Sequence, residues 1–67
     1  MLTKRSFTIQ GHRTSIALEP AFWAEFDAAI AADAVTPTTW VTQLDEARTT
    51  PLASAIRVEL LRRAKAG

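Results

Sequence analysis

Three prolines partition the chain before anything else is read from it. They stand in the pairs Glu19-Pro20, Thr36-Pro37 and Thr50-Pro51. Proline has no backbone N–H and a φ fixed near −65°, so it fits the first turn of a helix and breaks the interior of one. Helices are therefore expected to open at Pro20, Pro37 and Pro51, and none can run through those points. Thr36 and Thr50 add the hydroxyl that caps a helix start.

The three segments have helical spacing. In PAFWAEFDAAIAAD, Phe22, Phe26 and Ile30 recur every fourth residue and predict the buried stripe. In PTTWVTQLDEAR the stripe is Trp40, Val41, Leu44 and Ala47. In PLASAIRVELLRRAK, about residues 51–65, it is Leu52, Ala55, Ile56 and Leu60, widened by Val58 and Leu61. Trp23 and Trp40, at helical spacing beside phenylalanines, are expected in the core rather than as a stacking platform for bases.

Ahead of Pro20 the period changes to two. Phe7 and Ile9 alternate with Ser6, Thr8 and Gln10, and Ile16 and Leu18 with Ser15 and Ala17. Alternation of this kind predicts two half-buried strands, over 5–10 and 13–18. Gln10-Gly11-His12 reads as the turn between them, because glycine takes a positive φ at little cost. The order β, β, α, α, α makes one α+β domain of the whole chain, residues 1–67.

That domain is small and lacks the usual staples. With 67 residues, no cysteine and one histidine, His12, disulfides are excluded and a structural zinc has few ligands. Yet 48% of the residues are hydrophobic and 22% charged, the balance of a folded chain. A single short strand with two short helices would leave Phe22, Phe26, Trp40 and Leu44 open, so a second copy of the chain is the expected cover, as an intertwined homodimer. The basic start, MLTKR, precedes no long apolar run, so neither a signal peptide nor a membrane span is expected and the cytoplasm is the expected compartment.

Charge is laid out in blocks. Lys4, Arg5 and Arg13 stand without an acid in the first thirteen residues; Glu19, Glu25, Asp27, Asp33, Asp45 and Glu46 follow with no base between them; Arg48, Arg57, Arg62, Arg63 and Lys65 close the chain against Glu59. Basic ends on an acidic middle suit contact with a polyanion, or a pair of solvated termini. Arg57 is open to an acid such as Asp45 or one on a partner, and Arg62-Arg63 reads as a solvated tail.

Catalysis finds no purchase. There is no glycine-rich phosphate loop and no cysteine nucleophile. Asp45 and Glu46 diverge around a helix, and Ser15 with His12 lacks a third group, so no enzyme and no cofactor is expected.

The order of elements and the run KRSFTIQGHRTSIALEPAFW, followed by LASAIRVELL, resemble the ribbon-helix-helix family of DNA-binding proteins. The match is closest to a short bacterial subfamily with a KRS…GHRTS…LE…FW signature, carried here by Lys4, Arg5, Ser6, Gly11, His12, Arg13, Thr14, Ser15, Leu18, Glu19, Phe22 and Trp23, with Ser54, Ala55 and Arg57 downstream. The resemblance implies strands, one from each chain, pairing antiparallel and entering the major groove of double-stranded DNA. Ile16, Leu18, Phe22, Phe26, Trp40 and Leu44 would form the dimer core. Arg13, Ser15 and Ala17 would face bases, with Lys4, Arg5, Thr36, Thr38 and Thr39 on phosphates and His12 a further candidate contact. The strand at 5–10 has its own outward set; 13–18 is preferred because it joins the first helix directly. The chain departs from the family in lacking a glycine before the second helix, where Asp33-Ala34-Val35 stands instead. A second class of function fits the same fold: an adaptor or antitoxin-like module that binds another protein, for instance through the C-terminal helix.

Overall fold

The computed structural model describes residues 1–66. Two strands, β1 (Thr3–Ile9) and β2 (His12–Leu18), form an antiparallel hairpin. Three helices follow: α1 (Pro20–Asp33), α2 (Pro37–Ala47) and α3 (Leu52–Ala66).

The turn is tighter than the sequence implied. Gln10 is not part of β1 and His12 already belongs to β2, leaving Gln10-Gly11 as a two-residue loop. Both have positive φ, 50° and 81°. That combination is the mirror-image turn whose twist matches a hairpin, and Gly11 is the residue that adopts it without strain. Register then assigns the faces. Thr3 lies opposite Leu18, Arg5 opposite Ile16, Phe7 opposite Thr14 and Ile9 opposite His12, so Phe7, Ile9, Ile16 and Leu18 point to one side and are buried.

The helices begin where the prolines require. Glu19 stays extended ahead of Pro20, and its carbonyl accepts from the N–H groups of Phe22 and Trp23 at 2.9 and 3.1 Å. Helix α1 ends at Ala34, which adopts left-handed φ 55° and ψ 42°, a conformation usually given to glycine. Helix α3 starts one residue after Pro51, whose carbonyl accepts from the Ala55 N–H at 3.0 Å.

One core unites the five elements. Phe26 is fully buried at its centre, in edge-on contact with Trp23 (5.0 Å) and Trp40 (5.2 Å) and with Phe7 at 6.0 Å. The expected face of α1 is corrected by one residue: Trp23, Phe26 and Ala29 are buried, while Phe22 and Ile30 flank them half-exposed. The Trp23 indole can be buried because its Nε1–H donates to the Thr3 carbonyl at 2.7 Å. On α2, Trp40 and Val41 are buried, Leu44 is half-buried and Ala47 is exposed. On α3, Ile56 and Leu60 seal the core; Val58 and Leu61, expected to widen that face, are 63% and 51% exposed.

The expectation that one chain leaves Phe22, Phe26, Trp40 and Leu44 open is corrected for Phe26 and Trp40. Phe26 and Trp40 are 0% and 5% exposed within one chain. The hairpin supplies two strands where the argument counted one, and α3 closes the remaining side. Ile16 and Leu18 lie in that same single-chain core; Phe22 and Leu44 keep part of their surface.

Candidate nucleic-acid interface

Period-two alternation puts a second set of side chains on the other face of the hairpin. The cross-strand pairs there are Lys4–Ala17, Ser6–Ser15 and Thr8–Arg13. All but the half-buried Ala17 are exposed. Lys4 and Arg13 mark the two ends, hydroxyls lie between them, and no acid shares the face. Three of the expected base readers, Arg13, Ser15 and Ala17, are thus together with Lys4. Ser6 and Thr8 join them from β1, a strand the sequence reading set second; their outward alternation was the signal.

Arg5 is elsewhere. Its neighbours in register are the core residues, and its guanidinium forks onto Asp27 of α1 at 2.8 and 3.2 Å while lying 4.6 Å from the Trp23 ring centroid. His12 pairs with Ile9, on the inward side of the register, but is exposed at the hairpin tip. The tip is tied down by Gln10, whose amide donates to Glu46 at the far end of α2 (3.3 Å).

The start of α2 is already half-satisfied. Thr36 Oγ1 accepts from the Thr39 N–H at 3.1 Å and donates to Thr39 Oγ1 at 2.8 Å. Pro37 has no N–H, and the Trp40 N–H bonds the Thr36 carbonyl. Thr38 therefore holds the remaining first-turn donor. Eight residues of helix put it about 12 Å from Glu46, which meets the tip.

Behind the ribbon, arginines are joined to acids. Arg57 pairs with Glu19 at 3.0 Å, close to the Phe22 ring. Arg63, expected to be a solvated tail residue, forks onto Asp33 at 2.7 and 3.0 Å, bonds Glu59 at 2.9 Å and lies over Trp40. Arg62 also bonds Glu59, and Arg48 bonds Asp45. The carboxyls of Glu19, Asp27, Asp33 and Glu59 are held below their ordinary range. For Asp27 and Asp33 the main cause is the hydrogen bond from Arg5 or Arg63; for Glu59 it is that from Arg62, then Arg63. For Glu19 a backbone N–H comes first and Arg57 second. The basic blocks of the sequence are therefore largely neutralised by the acidic one. What stays outward on the hairpin is Lys4 and Arg13.

A two-stranded antiparallel ribbon with a polar, acid-free outer face, backed by helices that begin at prolines, is the frame on which the sequence match rests. The family model described as ribbon-helix-helix domain matches residues 2–64. The chain belongs to the ribbon-helix-helix family. No match was found among curated proteins or among solved structures. Ribbon-helix-helix domains are a non-enzymatic, DNA-binding type of fold that generally works as a dimer. Among the described residues, no helix is long and apolar enough to cross a membrane.

Proposed function

We propose that this ribbon-helix-helix chain is a dimeric, sequence-specific DNA-binding protein that regulates transcription in the cytoplasm, laying the outer face of its ribbon in the major groove. The observation that carries the reading is the acid-free set of cross-strand pairs Lys4–Ala17, Ser6–Ser15 and Thr8–Arg13. Strands about 4.8 Å apart fit a groove about 12 Å wide.

Each residue then has a chemical role. Arg13 forks onto guanine O6 and N7; Ser6, Ser15 and Thr8 donate or accept; Ala17 meets a thymine methyl. Lys4 neutralises a phosphate, about 14 Å along the ribbon from the level of Arg13, or about four base-pair steps. The Thr38 N–H at the start of α2 binds a second phosphate, with Thr36 and Thr39 holding that turn in shape. His12 sits at the tip, within reach of the backbone. Arg5 serves the fold instead. In the dimer, Phe22 and Leu44 are the core residues with surface left for a second chain.

Fluorescence anisotropy of a labelled mixed-sequence duplex, titrated at several salt concentrations, tests this. On a mixed-sequence duplex, with no fixed guanine under it, Arg13 meets phosphate as Lys4 does; four such cations in a dimer give log K a slope of about −3.6 against log salt. Absence of binding at low salt would replace this reading with the adaptor module.

A further inference from the structure

The turn that leads into α2 is weakly held by its own backbone. Ala34 ends α1 with φ 55° and ψ 42°, a left-handed conformation that costs alanine energy. The hydrogen bonds that close such a helix end are long here. The Ala34 N–H meets the Ala31 carbonyl at 3.4 Å, and the Val35 N–H meets the Ile30 carbonyl at 3.4 Å. Thr36, Pro37 and Thr38 follow directly and are exposed.

A brace comes from 30 residues away in the chain. Arg63 of α3 forks onto Asp33, the last residue of α1, at 2.7 and 3.0 Å. Its guanidinium lies 5.6 Å from the ring centroid of Trp40, a buried residue in the first turn of α2. One side chain thus grips the turn on both sides, before Ala34 and after Thr39. Glu59, one helical turn back on α3, accepts from Arg63 Nε at 2.9 Å and orients the fork. Each guanidinium nitrogen donates to a carboxylate, so Arg63 acts on the turn rather than on a phosphate. A two-point fork fixes direction as well as distance. The other tether of α3, Arg57 to Glu19 at 3.0 Å, sits at the opposite end of α1.

We propose that Arg63 is a positioning residue for the phosphate contact at the start of α2: its fork onto Asp33 and its place over Trp40 set the α1–α2 turn, and with it the direction of the Thr38 N–H. The inference rests on the DNA-binding reading above. It gives α3 a part in DNA binding without a DNA contact of its own.

The test is the anisotropy titration at several salt concentrations, on the full-length wild type and three variants whose folding is checked in urea. Arg63→Ala removes the brace and is expected to weaken duplex binding about fivefold with the salt slope unchanged. A slope shallower by about 1.8 would make Arg63 a direct phosphate contact in both chains of a dimer and refute the positioning role. Asp33→Asn keeps the shape of the side chain and removes an acid, so charge alone would tighten binding. The positioning role requires it to weaken, again about fivefold; unchanged or tighter binding would overturn the inference. This gentler change carries the test if Arg63→Ala unfolds. Arg57→Ala removes the same charge at the other tether and is expected to stay within about twofold of wild type. An equal loss there would reduce Arg63 to general support of α3 and sink the inference while DNA binding stood. Wild-type protein that binds no duplex at low salt would overturn the DNA-binding reading itself, and the inference with it.

Discussion

Arg5 and Arg13 lie on the same hairpin and are put to opposite uses. Arg5 falls on the inward parity of β1, where Asp27 and Trp23 meet it. Arg13 falls on the outward parity of β2, opposite Thr8, with no acid on its face. A shift of one residue would exchange the two roles, because successive strand side chains point to opposite faces. The same contrast separates the whole outer face, which contributes little to the fold, from the inner face and the arginine pairs behind it. Charge counted along a sequence cannot tell such residues apart.

The largest effect should come from attacking the inner side. Phe26→Ala removes the ring at the centre of the aromatic cluster and is expected to cost about 3–5 kcal/mol, enough to unfold much of so small a domain in a urea titration. Phe7→Ala should cost somewhat less, since its ring lies at the edge of the core. Thr8→Ala, its neighbour on the outer face, should leave the midpoint within about 0.5 kcal/mol of wild type. A destabilisation by Thr8→Ala matching that of Phe7→Ala would break the comparison.

Next come the two arginines themselves. Arg13→Ala is expected to weaken binding to a selected duplex by about 1–3 kcal/mol while the urea midpoint stays put. Arg5→Ala should do the reverse. With 40% of Arg5 and 57% of Asp27 side-chain surface exposed, solvent screens the pair, so its loss should cost under about 1 kcal/mol, with DNA affinity nearly unchanged.

Of similar size but opposite sign is Ala34→Gly. A left-handed alanine costs about 1–2 kcal/mol relative to an unstrained conformation, and part of that should return as stability when glycine ends α1. Thermal melting would show the gain.

Acid should act on the inner side alone. The carboxyls of Glu19, Asp27, Asp33 and Glu59 all have folded-state values lowered below their unfolded ones. Their contribution is therefore complete above the unfolded value, about 4, and is lost as pH falls through the folded value. Urea midpoints measured from neutral pH down should hold steady and then drop below about pH 4. Arg63→Ala, which frees Asp33, should make that drop shallower; an unchanged profile would argue against the pairing.

Much of this architecture was legible before folding. Prolines constrain backbone chemistry locally, so all three helix starts could be read to within a residue. Period-two alternation and Gly11 likewise marked the hairpin and its outward residues. The buried face of α1 was harder, because alanines surround its aromatics and give the helix little contrast; Phe22 and Ile30 fitted a stripe as well as Trp23 and Ala29 did. The arginine partners were not legible at all. Asp27, Glu19 and Asp33 lie 22, 38 and 30 residues from Arg5, Arg57 and Arg63, and only tertiary packing brings them together. For the same reason the chain's capacity to cover its own core was missed: it depends on β1 and α3 closing opposite sides of Phe26 at once.

The most direct test is a pair of titrations on Lys4→Ala/Arg13→Ala, one with DNA and one with urea. Loss of duplex binding at a wild-type urea midpoint is the result expected if the outer face of the hairpin is the DNA-binding surface. Wild-type affinity in a folded double variant would contradict it.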